Sequence, residues 1–286
     1  MAGQLLGCPV LLKSPYAAPM RYVRVEFEGQ LREARLDQLV EDTEVGVTLL
    51  SAPALEGGTP VGAPLTLPVS ALRAPLTPGK VVCVGQNYRK HAAELGKPVP
   101  EEPLLFLKAS SSVIGPGDTI RTPPESERVD HEGELGVVIG KRMVDVRAED
   151  TLAHVFGYVG ANDVTARDLQ RKDVQFTRAK SFDSFCPIGP FVETDLDPGN
   201  VGIRVMVNGA LRQDGHTGDM VFPVPELLAY ISAVMTLLPG DLVLTGTPAG
   251  VGPLVSGDVV QVALSGLGLL TNPVTTRVRQ SVIVEG

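Results

Sequence analysis

The sequence predicts an α+β protein that is mostly β. Short apolar runs with strand character outnumber helical segments along the chain. Glycine and proline are frequent, at 31 and 24 of 286 residues, and they follow no repeat period, which is typical of many turns and short strands. Because helices are few, a doubly wound parallel sheet is not expected. The composition, 43% hydrophobic and 20% charged, is that of an ordinary globular domain.

Residues 1–75 are predicted to form a small β-rich N-terminal domain. Val23, Val25 and Phe27 alternate with charged residues, and Glu28-Gly29-Gln30 supplies a turn, so that a hairpin is expected over residues 22–36. A segment rich in proline and glycine closes this region. No catalytic motif is recognisable here, and packing or oligomer contacts are the predicted role.

Residues 76–286 are predicted to form the main domain. A buried strand at 81–85 leads into a helix at 87–95, which Gly96 ends. A second helix is expected at 165–172 and a third, amphipathic one at 225–238. Further strands are predicted at 104–108, 135–140, 155–160, 201–207, 241–245 and 258–264. The third helix places these apolar residues at helical spacing: Leu227, Leu228, Ile231, Val234, Met235 and Leu238.

Charge and cysteine content exclude several classes of protein. The net charge of -8 disfavours a nucleic-acid partner, and no apolar run reaches the roughly 18 residues of a membrane helix. Cys8, Cys83 and Cys186 are odd in number and form no CxxC pair, so a reducing, cytoplasmic compartment is predicted. Cys186 is expected to be buried rather than nucleophilic. No GxGxxG, GxSxG, HExxH or phosphate-loop motif occurs.

Three carboxylates form a candidate metal site. Glu132 and Glu134 precede and enter a predicted strand, where alternate residues point to the same face. Paired carboxylates near an apolar core repel each other, and a divalent cation with oxygen ligands relieves that repulsion. Asp163 lies where a predicted strand passes into a helix. The alternatives are two solvated glutamates on an edge strand and a helix-capping role for Asp163.

His91 and Glu94 are predicted to be neighbours on one helix face, because they are three residues apart. A carboxylate beside an imidazole fixes its tautomer and raises its basicity, so this pair is a candidate for activating water. An ordinary surface helix that carries the two residues by chance is the alternative.

Four further polar residues are candidates for binding an anionic substrate. Lys108 follows a predicted strand and Lys180 lies in a loop, and either can hold a carboxylate or stabilise an enolate. Surface lysines are the alternative for both. Arg167 and Gln170 lie three residues apart on a predicted helix and point into one cleft. The glycine-rich turn at 245–252 can donate backbone N–H groups to an anion.

Taken in order, these motifs resemble those of the fumarylacetoacetate hydrolase family, over about residues 78–275. The resemblance implies a β-sandwich roll core with a small β-rich N-terminal domain, and a homodimer. It also implies Mg²⁺ (or Mn²⁺ or Ca²⁺) bound by Glu132, Glu134 and Asp163. The matching segments are Gly85-Gln86-Asn87-Tyr88 with His91 and Glu94, Phe106-Leu107-Lys108, His131-Glu132-Gly133-Glu134-Leu135, 163–170, Ala179-Lys180-Ser181-Phe182 and 245–252.

The resemblance also implies roles for the other candidates. The substrate would be a small 2-oxo or 2,4-dioxo acid that chelates the metal. His91 and Glu94, on a mobile lid, would activate water. Lys180, Arg167 and Gln170 would stabilise the leaving enolate.

The leading hypothesis is hydrolysis of a carbon–carbon bond in an acylpyruvate-like or fumarylpyruvate-like acid. Thr247 and its turn would hold the substrate carboxylate. Decarboxylation of oxaloacetate and isomerisation of a hydroxymuconate-type diacid are the alternatives that the family suggests. A non-catalytic metal-binding scaffold is the alternative from a different class of protein.

Overall fold

The computed structural model of the protein describes residues 20–40 and 43–278. Cys8 and residues 1–19 of the predicted N-terminal domain lie outside the described residues. In the first part of the chain the structure contains five strands: β1 (Arg21–Phe27), β2 (Gln30–Val40), β3 (Glu44–Leu49), β4 (Leu65–Pro68) and β5 (Leu72–Arg73).

The middle of the chain alternates strands with three short helices. Its elements are β6 (Val81–Gly85), α1 (Arg89–Glu94), β7 (Leu104–Lys108), β8 (Val113–Ile114), β9 (Ile120–Thr122), β10 (Val129–His131), β11 (Gly133–Ile139), β12 (Val155–Asn162), β13 (Thr165–Ala166), α2 (Arg167–Asp173), α3 (Thr177–Lys180) and β14 (Cys186–Glu193).

The last part adds six strands and the longest helix. Its elements are β15 (Gly202–Val207), β16 (Ala210–His216), α4 (Val224–Val234), β17 (Leu242–Leu244), β18 (Gly252–Pro253), β19 (Val259–Leu264) and β20 (Gly268–Thr276). Short 3₁₀ turns lie at Ala54–Glu56, Val69–Ala71, Ser110–Ser112, Ala148–His154 and Thr217–Asp219. The predicted α+β class with dominant strands is confirmed.

The strands form one large sheet and two smaller ones. The large sheet has twelve strands in the order β4-β3-β2-β1-β14-β12-β11-β17-β6-β7, with β5 beside β1 and β8 beside β14. A five-stranded sheet has the order β16-β15-β19-β20-β9, and a small sheet the order β13-β10-β18. No helix within residues 20–40 and 43–278 is long and apolar enough to span a membrane.

The central strands β11 and β12 are buried on both faces, because two clusters of apolar side chains pack against them. Leu135, Val137 and Ile139 point into the larger cluster, and Val138 points into the second one on the opposite side. The five-stranded sheet packs against the start of β11, where a Cβ on Gly133 would lie 2.4 Å from Val205 Cγ2. Glycine between the two glutamates therefore permits the close approach of the second sheet.

The predicted N-terminal hairpin is confirmed, and it continues into the main sheet. Glu28 and Gly29 adopt φ of 51° and 72°, the left-handed pair that a two-residue hairpin turn requires. Strand β1 then pairs antiparallel with β14, with Tyr22 opposite Val192. The N-terminal strands have their own apolar cluster, to which Phe191 of β14 contributes. The boundary at residue 75 stays a prediction.

Two predicted helices begin or end at other residues than expected. Helix α4 ends at Val234 rather than at residue 238, because Met143 and Leu237 exchange backbone hydrogen bonds of 2.9 and 3.0 Å and hold the following chain extended. Leu227, Leu228 and Ile231 are buried as predicted, whereas Val234 and Leu238 are 59% and 48% exposed. Helix α2 begins at Arg167 because residues 165–166 pair with β10.

Candidate active site

The three predicted metal ligands meet at one buried point. Glu132 lies between β10 and β11, Glu134 is the second residue of β11, and Asp163 follows β12. Their carboxylate oxygens lie within 4.8 Å of one another, and all three residues are at most 4% exposed. The hydrogen bond from the backbone N–H of Asp163 to the carbonyl of Glu132, at 2.8 Å, holds the two segments together. This burial excludes a solvated edge strand.

Three cations surround the carboxylates. The Lys180 ammonium donates to Glu132 at 2.8 Å and to Asp163 at 2.6 Å, and Arg167 also donates to Glu132. Lys108 donates to Asp163 at 2.6 Å and to the Val164 carbonyl at 3.1 Å. Asp163 does not cap α2, whose N-cap residue is Ala166. The buried charges of Glu132 and Asp163 are thus paired with cations, as their desolvation requires.

Glu132 and Glu134 have opposite electrostatic environments. Burial and the nearby carboxylates of Asp163 and Glu132 raise the pKa of Glu134 well above its ordinary value, although the Lys180 charge and the Gly246 N–H oppose this rise. Burial alone would raise the pKa of Glu132 as well. The positive charges of Lys180 and Arg167 outweigh that effect and hold the pKa of Glu132 well below its usual range.

This donor set fits a hard divalent cation. Three carboxylate oxygens are the ligands that Mg²⁺, Mn²⁺ or Ca²⁺ prefer. Glu134 accepts from the Gly246 N–H at 2.8 Å, and no cationic side chain of the described chain donates to it. A divalent ion would supply the positive charge that Glu134 lacks. Glu132, Glu134 and Asp163 are therefore the residues that would hold the metal.

Burial and the neighbouring carboxylates shift the pKa of the Lys180 ammonium in opposite directions. Desolvation on its own would lower the pKa of Lys180, but Asp163 and Glu132 reverse that effect and raise it. Lys180 is consequently a permanent cation at this site. Its ammonium also lies 4.8 Å from the centre of the Phe106 ring.

His91 and Glu94 form the predicted pair on α1. His91 Nδ1 lies 3.2 Å from a Glu94 carboxylate oxygen, and His91 is 4% exposed. Because a carboxylate only accepts hydrogen bonds, it favours the tautomer with the proton on Nδ1 and leaves Nε2 as a base. The backbone N–H of Gly250 donates to the same carboxylate at 3.0 and 3.2 Å and fixes its position.

Eight of the ten predicted site residues line a single cavity, which has an open volume of about 30 Å³. Glu94 and Lys108 are not among the lining residues, and they act on the cavity through His91 and Asp163. The eight predicted residues that line the cavity are His91, Glu132, Glu134, Asp163, Arg167, Gln170, Lys180 and Thr247. The apolar part of the lining includes Leu95, Leu104, Phe106 and Phe176.

Gln213 of β16 is a buried support that sequence reasoning missed. Its Oε1 accepts from the Gly133 N–H at 3.0 Å and lies 3.1 Å from His131 Nδ1, and its Nε2 donates to Thr247 Oγ1 at 2.8 Å and to the Pro248 carbonyl at 2.7 Å. One side chain thus joins the metal-ligand strand to the glycine-rich turn.

Gln213 also determines how Thr247 can act. Thr247 Oγ1 accepts from Gln213, so its own hydrogen goes to the Gly133 carbonyl at 2.9 Å. The hydroxyl hydrogen is therefore not available to a substrate carboxylate, which would have to accept from the backbone of the turn. The predicted role of Thr247 in binding a carboxylate stays a prediction.

A register shift explains why the sequence concealed Gln213. Counting back from the Asn208-Gly209 turn places Gln213 opposite Arg204, on the exposed face of the hairpin. A bulge between Val205 and Met206 instead pairs Gln213 with the buried Val205. A shift of one residue reverses the face of every following side chain.

The other predicted features lie where expected or nearby. Arg167 donates to Gln170 Oε1 at 2.7 Å, so the two share one face of α2, as predicted. The glycine-rich turn does bind anions through its backbone, and these anions are the carboxylates of Glu134 and Glu94. Cys186 is buried, as expected, and burial raises its pKa to about 12.

Comparison with known proteins identifies the class. Residues 80–275 match the family described as fumarylacetoacetate (FAA) hydrolase, C-terminal, and the chain belongs to this family. The predicted resemblance is thereby confirmed.

Relatives and solved structures of the family are similar over most of the chain. The mitochondrial oxaloacetate tautomerase fahd2 of Xenopus laevis is 48% identical over 71% of this chain and 68% of its own length. The crystal structure of 2-hydroxyhepta-2,4-diene-1,7-dioate isomerase from Mycobacterium marinum superposes with a TM-score of 0.83 at 40% identity, covering 91% of this chain and all of that one.

A third similar protein is the fumarylacetoacetate hydrolase from psychrophilic Exiguobacterium antarcticum. Its structure gives a TM-score of 0.80 at 38% identity over 90% of this chain and all of that one. The protein is thus an enzyme of a family whose similar members carry the names of a tautomerase, an isomerase and a hydrolase.

Proposed function

We propose that the protein is a divalent-metal-dependent enzyme that moves a proton at the carbon beside the keto group of a dicarboxylic 2-oxo acid. Keto–enol tautomerisation of oxaloacetate is the reaction that we infer. The observation that carries this proposal is the position of His91, a base held by Glu94, on the wall of the cavity that contains the carboxylate triad. The similarity to a relative named oxaloacetate tautomerase supports the same reaction.

The charges of the site favour a substrate with two carboxylates. The three carboxylates of the triad lie among three cations, Lys108, Lys180 and Arg167. Glu132 and Asp163 contact these cations directly. Asp130 pairs with both Arg167 and Arg128, and the charges of Asp130 and Arg128 cancel. A divalent ion would therefore leave an excess of two positive charges in a largely buried site. A dianionic acid such as oxaloacetate neutralises that excess, whereas a monocarboxylic acid does not.

Each side chain of the site has a separate role in the proposed reaction. The metal, when bound, would polarise the 2-keto group and favour loss of the neighbouring proton. His91 Nε2 takes that proton from the substrate carbon, and Glu94 stabilises the resulting imidazolium through Nδ1. The imidazolium then gives the proton to the enolate oxygen, which yields the enol and restores neutral His91; the reverse sequence converts the enol to the keto form. Lys180 uses two of its three N–H groups on Glu132 and Asp163, so the third can donate to the oxygen that gains negative charge.

The proposed reaction is tested by following conversion of enol-oxaloacetate to the keto form with Mg²⁺, and again with a chelator. We expect chelator-sensitive turnover, with Mn²⁺ and Ca²⁺ compared in place of Mg²⁺. His91→Ala should lower kcat by roughly 10²–10⁴-fold, the usual contribution of a general acid–base. His154→Ala is the matched control, because His154 lies outside the cavity and contacts the Arg142 carbonyl. Full activity of the His91 variant would refute the assignment.

Hydrolysis of a carbon–carbon bond in a 2,4-dioxo acid is the second candidate. The His91–Glu94 pair favours it, since the same base can activate water, and the similar hydrolase structure supports it. Acetylpyruvate and fumarylpyruvate, offered with Mg²⁺, would then yield pyruvate. Decarboxylation of oxaloacetate needs no water, so Glu94→Gln should stop hydrolysis and spare decarboxylation. Turnover of the dioxo acids without tautomerisation would replace the first proposal by this one.

A further inference from the structure

A second cavity adjoins the catalytic one and opens toward solvent. It has a volume of about 300 Å³, within the range of ligand-binding pockets. We call it the outer cavity. Four residues line both cavities, so the two are continuous: Leu95, Lys97, Arg167 and Gln170. Of the two cavities, the outer one alone is lined by Glu94, Arg128, Asp130, Arg171 and Val251.

The difference in volume determines where a substrate must extend. The catalytic cavity has about 30 Å³ of open volume, roughly the room of two or three water molecules, so it cannot contain the whole of a longer substrate. Its lining also includes the apolar side chains of Phe106 and Phe176. The rest of a longer substrate can extend past Arg167 and Gln170 into the outer cavity, because these residues line both spaces.

Positive charge predominates in the outer cavity. Asp130 is fully buried and already accepts from Arg128 at 2.8 and 3.2 Å and from Arg167 at 3.0 Å. Glu94 accepts from Gly250 and faces His91. The acidic groups of this wall are thus occupied by protein partners.

Two cationic side chains of the outer cavity have no carboxylate partner among the described residues. Arg171 and Lys97 are exposed, and neither forms an ion pair within the described chain. Arg171 follows Arg167 by four positions on α2, and one helix face therefore presents both guanidinium groups to this cavity.

We propose that the outer cavity binds the distal carboxylate of an extended dicarboxylic 2-oxo acid, and that Arg171 and Lys97 select for it. The inference rests on the proposed function, because the 2-oxo end of the same molecule must occupy the catalytic cavity. It adds a preference that the carboxylate triad cannot provide, namely for the chain length and the second charge of the substrate.

Two ligands that differ only in the distal group test this site. Binding of 2-oxoheptanedioate and of 2-oxoheptanoate is measured by titration calorimetry with Mg²⁺ on the full-length protein. We expect the diacid to bind about fivefold more tightly, which is the size of effect that exposed charge pairs give. That preference should decrease as salt is added, because exposed charges are screened.

Variants then assign the preference to the two cations. In Arg171→Gln combined with Lys97→Gln, the diacid and the monoacid should bind within about twofold of each other. Lys172→Gln is the matched control, because it removes the same charge one residue along α2 and outside both cavities. Binding of 2-oxoheptanoate to each variant verifies that its catalytic cavity is intact.

The outcomes separate this inference from the proposed function. Equal affinity of the wild-type protein for the two acids would overturn the outer-cavity proposal alone. An equal loss of preference in Lys172→Gln would also overturn it, since the effect would then be one of net charge. Binding of neither acid in the presence of Mg²⁺ would overturn the proposed function and this inference with it.

Discussion

Glu134 is the carboxylate of the triad that is least stable as an anion. Its neighbours Glu132 and Asp163 each contact at least one cationic side chain, while Glu134 accepts from the backbone of Gly246. Burial and the two like charges raise its pKa, so without metal the folded protein retains a proton on Glu134 at a pH at which a free glutamate has lost it. Metal binding must displace that proton.

The free energy of unfolding, measured as a function of pH, should reveal the proton on Glu134. The folded metal-free protein binds more protons than the unfolded chain above the ordinary glutamate pKa of about 4.5. The contribution of Glu134 is thus fully present below that pH and is lost as pH rises through the folded-state pKa. Glu134→Gln should abolish this decline, as measured by urea unfolding across pH with a chelator present. A decline of unchanged size in the variant would contradict the assignment.

The same substitution should weaken the metal site. Loss of a ligand is expected to lower Mg²⁺ affinity by more than the tenfold that loss of an outer partner can cause. Titration calorimetry in two buffers of different ionisation enthalpy measures both the affinity and the proton released by the wild-type protein. Glu193→Gln offers a control, because Glu193 is also a buried strand residue but pairs with Arg21 away from the site.

Gln213 shows how one polar side chain supports several parts of a site. Gln213→Ala would leave four buried groups without their partner, on Gly133, His131, Thr247 and Pro248. Each unsatisfied group costs about 1–3 kcal/mol, and relaxation recovers part of that, so we expect a loss of about 2–4 kcal/mol in unfolding free energy. Urea denaturation measures it, with the exposed Gln175→Ala as the control. Similar stability of the two variants would contradict this role.

At the scale of elements, α1 is a helix of six residues that would not be stable alone. Its C-terminal end is fixed by two backbone hydrogen bonds, from Gly96 N–H to Ala93 and from Lys97 N–H to Ala92, at 3.0 and 2.9 Å. This arrangement requires a left-handed residue, and Gly96 has a φ of 65°. The helix end thereby holds His91 and Glu94 in position over the cavity.

Gly96→Ala should therefore affect both stability and catalysis. A Cβ at this position meets nothing within 4 Å, so the cost arises from the backbone conformation alone and is about 1 kcal/mol. We expect a lower Tm and a lower kcat, as the His91–Glu94 pair loosens. Gly199→Ala is the control, since Gly199 lacks a positive φ and its Cβ would lie 3.4 Å from Asp197 Oδ1. An unchanged Tm for Gly96→Ala would argue against this account.

At the scale of the whole molecule, the N-terminal strands and the catalytic core share one sheet. Strand β1 pairs with β14, and Tyr22 packs in the same apolar cluster as Val138 of the central strand β11. Removing the N-terminal part would expose the edge of β14 and the apolar side chain of Phe191. The sequence predicts a small N-terminal domain without a recognisable catalytic motif. In the structure, the hydrogen bonds of β1 join this region to the catalytic core.

The full chain should accordingly unfold in one transition by calorimetry, and a fragment of residues 76–286 should have a lower Tm or aggregate. Two separate transitions would show that the predicted N-terminal domain folds independently. The homodimer implied by the family resemblance stays a prediction, which light scattering on the full-length protein measures.

The sequence by itself determined the class of fold, the neighbouring glutamates Glu132 and Glu134, and the His91–Glu94 pair, because these depend on local periodicity. Residues two apart on a strand, or three apart on a helix, share a face whatever surrounds them. The place of Asp163 beside the two glutamates followed from the family resemblance. Six motifs in one order specify a family, whereas a single motif does not.

Only the tertiary structure decided which residues support that site through hydrogen bonds. Gln213 reaches Thr247 because a bulge reverses the face of β16, and Lys108 pairs with Asp163 across 55 positions of sequence. The outer cavity likewise joins α1, α2 and the segment before β10. Such contacts depend on register and on the packing of distant segments, and no local pattern encodes them.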